Sequence, residues 1–412
     1  MGADDNVPLV SSPVVVDGIG VISALGTSHD AFRQSLLDGT SAVRTVAGFS
    51  TADCRTSLAA EMVDFEPTAW VPAMKLRRLD RTGVYALAAA RLALGDAGVT
   101  PAIAGDESLG VVMGTWTAGG QSTQQFLEGL FRGGPSGAPA LLFDSTVGNS
   151  AASLVGLEYK LRGPNVTVSH KEASGLAAIV AAVDHLRERR ASAMLAGGVD
   201  AVYETFFKGH DSFAVMSRQP HASAAVAPFD DSRAGFVIGE GGVGLWVRLA
   251  ESDERGRGHG EILGVAASSA AVAINAWPSD PAPLIRTMTQ AIADAGVTSN
   301  DVNVVYASAN ATPLLDRTEA QALSTLFGAA PLVTSIKGAV GESGVSGALA
   351  CAAALLCGRV GLVPPIAGLN QALVEARQLR LVRSAATAPG PLTLVNSFAS
   401  GGALFSCVLR SA

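Results

Sequence analysis

The sequence is poor in charge and in long apolar runs, and each shortage argues against a class of protein. Charged residues make up only 16% of the 412 residues and the net charge is −7, which argues against a nucleic-acid or anionic-membrane surface. The longest fully apolar run, residues 348–357, is about half as long as a membrane-spanning helix must be. We therefore expect neither nucleic acid nor a membrane as a partner.

Cysteine and histidine are too scattered to predict a metal centre. The four cysteines have no metal-ligand spacing, and Cys351 and Cys357 lie inside the apolar run, where buried free thiols are expected. The first residues carry neither the basic nor the apolar region of a signal peptide, so we predict a soluble, cytoplasmic protein. We predict no metal and no cofactor, because these histidines match no ligand spacing: His29, His185, His210, His221 and His259.

Hydrophobic residues (48%) and glycine (46 residues) are abundant, as in tightly packed α/β proteins. Residues 86–100 and 284–298 are alike, since each is an amphipathic helical pattern that ends in Asp-Ala-Gly-Val-Thr. Each is followed by a polar loop and an apolar strand. The pattern predicts an α/β fold with two duplicated halves, which we place at residues 1–250 and 251–412.

Glu172 lies in a setting that is typical of a nucleophile. Residues 166–168 are β-branched or apolar, a tight turn follows, and an alanine-rich helix runs to about residue 190. A side chain at such an elbow faces the free N–H groups of a helix N-terminus, where enzymes place reactive thiolates and alkoxides. A carboxylate is a poor acyl acceptor. The elbow therefore predicts a catalytic position, but glutamate is not the residue type expected of a nucleophile there.

Four glycine-rich or polar turns accompany this elbow, and their order along the chain resembles that of the β-ketoacyl synthases of the thiolase superfamily. The resemblance extends from Val14 to Leu404 and implies the thiolase fold, with two halves layered α-β-α-β-α. Its most specific segments are Pro-Phe-Asp to Gly-Glu-Gly (228–241), Ala-Ser-Gly-Leu (173–176), Ser-Ile-Lys (335–337) and Asn-Ser-Phe to Gly-Gly (396–402).

Active members of that family carry a nucleophilic cysteine and two histidines, and all three are replaced here. By resemblance, the cysteine position is Glu172, and the two histidine positions are Ser308 and Glu342. The family's lysine is retained as Lys337. A gating loop of sequence Gly-Phe-Gly-Gly follows Phe398 in this alignment and consists here of Ala399, Ser400, Gly401 and Gly402. We therefore expect vestigial positions and no catalytic residue, because neither serine nor glutamate supplies a neutral imidazole donor.

This loss resembles the chain-length factors, the β-subunits that pair with an active ketosynthase in type II polyketide synthases. The resemblance implies a heterodimer, with an acyl carrier protein delivering malonyl and polyketide chains. Chain-length factors of aromatic systems usually have glutamine at the elbow, so Glu172 favours the polyene-forming branch and leaves the aromatic one open. An alternative is a divergent acyltransferase acting through Ser308, Ser174 or Glu172, and another is a scaffold that pairs with itself.

Two further expectations concern single residues. Glu172 either plugs the site, by accepting helix N–H groups or pairing with Lys337, or assists decarboxylation of a malonyl group. By resemblance, residues 121–131 limit the product length. Their bulky members have near-helical spacing, and ordinary packing is the alternative for each: Phe126, Leu127, Leu130 and Phe131.

Overall fold

The computed structural model describes residues 12–100, 106–218, 226–250 and 258–412. His221, which was considered as a metal ligand, lies outside these ranges. The predicted boundary between the halves, at 250/251, lies at the edge of one of them. In the described residues the α-helices are α1 His29–Leu37, α2 Ala73–Leu76, α3 Arg81–Asp96, α4 Gly120–Gly133, α5 Ser150–Tyr159, α6 Ser174–Arg187, α7 Glu204–Ser212, α8 Ala282–Asp294, α9 Pro313–Phe327, α10 Lys337–Val340 and α11 Ser346–Gly358.

The strands alternate with these helices along the chain, as the apolar runs predicted. In the described residues they are β1 Val14–Ser23, β2 Arg44–Thr45, β3 Leu58–Ala60, β4 Leu109–Gly114, β5 Asn165–Val168, β6 Ala193–Asp200, β7 Ile238–Gly239, β8 Gly241–Leu249, β9 Gly260–Ser269, β10 Val304–Tyr306, β11 Leu332–Thr334, β12 Leu362–Val363, β13 Arg380–Leu381, β14 Ala386–Thr387, β15 Leu392–Phe398 and β16 Ala403–Ser411.

The main sheet joins two similar halves. Its strand order is β13-β11-β10-β15-β16-β9-β1-β8-β6-β4-β5, and β1 and β9 meet where Val14–Val16 pair with residues 260–262. On one side of this junction, β4 is parallel to β5 and β6, and β8 is antiparallel to β6. On the other side, β10 is parallel to β11 and β15, and β16 is antiparallel to β15. Each half therefore repeats the same arrangement of five strands, and β13 adds a sixth strand beside β11 in the second half.

The predicted duplication is confirmed by the helices as well. Helix α3 packs on β1 and β8, and α8 packs on the equivalent strands β9 and β16. Helices α6 and α11 lie between the two halves of the sheet and contact each other, so the layers follow the predicted α-β-α-β-α order. Helix α3 begins at an aspartate cap, because the Asp80 carboxylate accepts the Gly83 N–H.

The central layer explains the apolar run that the sequence analysis singled out. Every residue of α11 from Ser346 to Cys357 is buried, as expected of a helix that is hydrophobic all round and lies in a core. Burying each leucine there contributes about 1.5–3 kcal/mol. Where α6 meets this layer, a Cβ atom on Gly175 would lie 3.0 Å from the Ala348 Cβ, so the glycine permits the close approach. Among the described residues, no helix is long and apolar enough to span a membrane.

Candidate functional site

The elbow at Glu172 has the predicted strand-turn-helix form. Strand β5 ends at Val168, residues Lys171–Ala173 form a single 3-10 turn, and α6 begins at Ser174. Lys171 adopts a left-handed backbone conformation (φ 50°), which is unusual for a residue with a side chain. The Ser174 hydroxyl donates to the Lys171 carbonyl at 2.7 Å and accepts the His170 N–H at 2.9 Å, which fixes the turn.

Glu172 is bound by Ser400, which lies in the turn that corresponds to the gating loop. The Ser400 hydroxyl donates to Glu172 Oε1 at 2.9 Å, and the Ser400 backbone N–H donates to Oε2 at 3.1 Å. Only 2% of the surface of Glu172 is exposed to solvent. The elbow carboxylate is therefore held inside the protein by a residue from the other half of the fold.

The environment of Glu172 favours its protonated form. Burial, with the negative charge of Glu342 as the next contribution, raises the pKa of Glu172 to about 7. Hydrogen bonds from its own backbone N–H and from Ser400 offset part of that rise. Protonation of this carboxyl group is thus favoured relative to an exposed glutamate, and it is a poor nucleophile in either form.

Glu342 and Lys337 form a buried ion pair. Lys337 Nζ lies 2.7 Å from Glu342 Oε2, and both side chains are almost completely inaccessible. The same oxygen accepts the Asn310 side-chain amide at 2.7 Å, and Oε1 accepts the Ser346 hydroxyl at 2.7 Å. Because both charges are paired and both carboxylate oxygens are hydrogen-bonded, the cost of burying them is largely offset.

Ser308 lies on the other side of the Lys337 ammonium group. Lys337 Nζ donates to Ser308 Oγ at 3.3 Å, and the Phe398 backbone N–H donates to the same oxygen at 2.9 Å. The Ser308 backbone N–H donates to Glu319 Oε1 at 2.9 Å, which in turn accepts the Asn396 amide at 3.0 Å. Ser308 is fully buried, so its hydroxyl fills a polar network rather than facing an open site.

Of the two partners considered for Glu172, N–H groups of the helix or Lys337, the structure contradicts the Lys337 alternative. Lys337 pairs with Glu342, and the Glu172 carboxylate is bound by Ser400 and by its own backbone N–H rather than by Lys337. Glu342 lies five residues after Lys337, across a single helical turn, and its carboxylate accepts a hydrogen bond from the Lys337 ammonium group. The vestigial positions are nevertheless brought together. The turn that carries Ser400 also carries Phe398, which contacts Ser308.

The positions of the gating loop form a tight β-turn. Phe398 ends β15 and is fully buried, and Ala399 donates its N–H to the Ala403 carbonyl. Gly401 and Gly402 have φ values of 96° and 88°, which L side chains rarely adopt. The turn therefore needs these two glycines, and it directs Ser400 toward the elbow.

Lys171 forms hydrogen bonds that link the elbow to two other segments. Its Nζ donates to the Ile274 carbonyl, to Asn275 Oδ1 at 2.9 Å and, at 3.4 Å, to Ser400 Oγ. The ammonium group thus connects the segment after β9 with the turn that binds Glu172. Sequence reasoning did not identify this role. A lysine directly before the elbow residue was its only signal.

The candidate pocket residues lie on an exposed helix. Phe126 of α4 is half-buried and contacts Phe143, with ring centroids 5.6 Å apart. Leu130 is also half-buried, whereas Leu127 and Phe131 are exposed by 39% and 80%. The near-helical spacing is confirmed, because all four lie within α4.

The described part of the site can bind and bury charge, but its hydrogen-bonded groups include neither a thiol nor an imidazole. A nucleophile must be activated by a neighbouring base, and the ammonium group of Lys337 is paired with a carboxylate.

The β-ketoacyl synthase N-terminal domain model matches residues 11–252, and the C-terminal domain model of the same family matches residues 259–370.

The chain belongs to the β-ketoacyl synthase family.

Members of this family from polyketide synthases and from 3-oxoacyl-(acyl-carrier-protein) synthases resemble the chain. The tetracenomycin polyketide synthase ketoacyl synthase beta subunit of Streptomyces glaucescens is 31% identical, covering 92% of this chain and 96% of that protein. The 3-oxoacyl-(acyl-carrier-protein) synthase 2 of Coxiella burnetii is 29% identical, covering 87% and 88%. Among solved structures, the ishigamide ketosynthase/chain length factor has a TM-score of 0.89 at 29% identity, with 98% and 100% covered.

Proposed function

We propose that this chain is the non-catalytic partner subunit, or chain-length factor, of a type II polyketide β-ketoacyl synthase. It pairs with an active ketosynthase and shapes the pocket that sets product length during decarboxylative condensation of malonyl units on an acyl carrier protein. The observation that carries this proposal is the closed network around Lys337. The residues at both histidine positions, Ser308 and Glu342, bind its ammonium group, so the site is filled by structural hydrogen bonds.

The names of the relatives support a partner subunit of a polyketide synthase. The tetracenomycin relative is a beta subunit, and the ishigamide structure is a ketosynthase with its chain length factor. Relatives named 3-oxoacyl-(acyl-carrier-protein) synthases act on an acyl carrier protein, which supports such a carrier as a working partner.

The surface of the first half supports a protein partner. Strand β5 is one edge of the main sheet, and within the described residues its hydrogen-bonded neighbour is β4. An unpaired edge is a template for a strand of another chain. Nearby segments expose large apolar side chains, a feature typical of interaction surfaces, on α4, α5 and the 3-10 helix Ala140–Ser145: Leu127, Phe131, Leu141, Phe143 and Leu157.

The alternative of an independent acyltransferase depends on Ser308 beside Lys337. A serine–lysine pair can be catalytic when the lysine is neutral and acts as a base. Here the Lys337 side-chain nitrogen lies 2.7 Å from the Glu342 carboxylate and is hydrogen-bonded to it, and Ser308 is fully buried. The same contacts favour a structural plug as the role of Glu172, since a malonyl carboxylate would meet negative charge at Glu342 and at ionised Glu172.

The native mass of this chain, co-expressed with the ketosynthase encoded nearest to it, tests the proposal. A one-to-one heterodimer is expected. Phe131→Glu places a charge on the exposed apolar face and should weaken the complex, whereas Val374→Glu, at a residue of similar exposure in the second half, should leave it intact. A monomer or homodimer beside an unbound ketosynthase would contradict the proposal, and an acyl adduct on the lone chain would favour the acyltransferase.

A further inference from the structure

Three residues that are distant in the sequence meet at the junction of the two halves. His29 is the first residue of α1, Asp96 is the last residue of α3, and His259 directly precedes β9. One ligand atom from each lies within 4.8 Å of the other two. Two imidazole nitrogens and one carboxylate oxygen are the donor set that zinc and related divalent metals prefer.

The backbone of β1 holds two of the three ligands in place. The Ile19 N–H donates to Asp96 Oδ2 at 2.8 Å, and His29 Nε2 donates its proton to the Ile19 carbonyl at 2.7 Å, so a metal ion on that nitrogen must displace this proton. Asp96 Oδ2 also lies 2.6 Å from His259 Nε2 and 3.8 Å from His29 Nε2. The two imidazole rings are nearly perpendicular, at 85°, so their edges converge on the carboxylate.

These separations are close to those of a metal centre. Ligands 2.0–2.2 Å from a tetrahedral zinc ion lie about 3.4 Å from one another. In the cluster, one nitrogen–oxygen separation is shorter than this value and the other is longer. The side chains of His29 and Asp96 are 28% and 29% exposed, so their rotation would bring both separations toward this value. We propose that His29, Asp96 and His259 bind one divalent transition-metal ion of the zinc type.

An open cavity gives this site access to solvent. The cavity has a volume of about 470 Å³ and is lined by His29 and Asp96, together with Arg91, Ser28 and neighbouring residues of α1 and α3. The side chains of His29 and Asp96 are 28% and 29% exposed, whereas that of His259 is 5% exposed. A metal ion enters from the cavity, and water molecules there complete its coordination shell.

Arg359 opposes metal binding and supplies a specific test. Its Nη1 lies 3.3 Å from His259 Nδ1. Because a guanidinium group only donates, Nδ1 accepts, and the proton of the neutral ring is on Nε2, directed at Asp96. A metal ion on Nε2 displaces that proton, and Nδ1 then carries the ring proton. Arg359 must turn away, which its exposed position allows.

The consequence of metal binding is a cross-link between the halves. His29 and Asp96 belong to the segment that matches the N-terminal family domain, and His259 begins the segment that matches the C-terminal one. Spacing along the sequence predicted no metal site, because the two histidines are 230 residues apart. The ion stabilises the folded chain over the unfolded one, so the effect is independent of the proposed polyketide function.

Cobalt and zinc titrations of the full-length chain test this proposal. The protein is first stripped of metal with a chelator, and any co-purified partner is retained. One equivalent of Co²⁺ should produce the visible bands of a low-symmetry site, and Zn²⁺ should raise the unfolding midpoint by about 2 °C or more. His29→Asn and His259→Asn should each lower Zn²⁺ affinity about tenfold or more. His185→Asn is the matched control and should change nothing, because His185 lies outside the cluster.

Arg359→Ala should raise Zn²⁺ affinity severalfold, since it removes the cation beside His259. If His259→Asn fails to fold, half-exposed His29 carries the test. The absence of a cobalt spectrum would overturn the proposal. A zinc affinity that neither histidine substitution changes would overturn it as well.

Discussion

The Ser400 hydroxyl lies 2.9 Å from Glu172 Oε1, and the two residues occupy positions that the β-ketoacyl synthases use differently. By family resemblance, one is the position of the nucleophilic cysteine and the other that of the gating aromatic. A phenylalanine at residue 400 could not supply the hydroxyl donor, and a cysteine at residue 172 would not need it. The two departures from the family pattern therefore act together.

Stability should fall as pH rises through the titration of Glu172. Its folded pKa, about 7, lies above the usual value of 4.5, so between these values the folded state binds more protons than the unfolded state. Glu172→Gln removes this contribution and keeps an oxygen acceptor for Ser400. We expect the variant to match the parent protein near pH 4.5 and to exceed it at pH 8 by up to about 3 kcal/mol.

Denaturant unfolding of both proteins between pH 4.5 and 8 checks this expectation. The pKa of Asp316 is also raised to about 7 by burial, but that residue is present in both proteins and cancels in the difference. A difference in stability that does not change with pH would count against the predicted pKa of Glu172.

Ser400→Ala should destabilise the protein by about 1–3 kcal/mol at pH 8 and by less at pH 5. The substitution removes the hydroxyl donor but keeps the backbone N–H, and the lost hydrogen bond is stronger to the ionised carboxylate. Ser397→Ala is the matched control, because the Ser397 hydroxyl has no hydrogen-bond partner among the described residues. Equal losses for both variants in urea unfolding would contradict the proposed contact.

The buried ion pair should be strongly coupled. Glu342→Gln leaves the Lys337 ammonium without its counter-charge and should cost about 3–5 kcal/mol, as should Lys337→Met. The double variant should lose less than the sum of the two, because no buried charge is left unpaired. Glu204→Gln, which breaks the exposed pair with Lys208, should have no measurable effect. Additive losses in a double-mutant cycle would argue against a coupled pair.

Phe126→Ala should lengthen the polyketide product if this residue forms the floor of the pocket. Its ring contacts Phe143, and removing it opens space beside α4. Product length is measured by mass spectrometry of the reconstituted complex. Val374→Ala, at a residue of the second half that is 62% exposed, serves as the control. An unchanged distribution in a complex that still assembles would assign Phe126 to packing.

Local patterns predicted the elbow and the duplication. The strand, turn and helix around Glu172 are short-range features, and the repeated closing residues of α3 and α8 identified the equivalent helices of the two halves. The boundary at 250/251 stays a prediction, because it adjoins residues outside the described ranges. Hydrogen-bond partners were harder to predict: Lys337 was one of two partners considered for Glu172, and it pairs with Glu342 instead.

The sequence by itself determined the family and the fold, because these depend on residue identity within short motifs, and it predicts the loss of the catalytic side chains. Only the tertiary structure decided which groups neutralise one another. Glu172 and Ser400 are 228 residues apart, and Asp96 and His259 are 163 apart, so no spacing rule connects them. Packing the two halves against α6 and α11 brings such residues within hydrogen-bond distance, and the cost of burying a polar group favours partners for most of them.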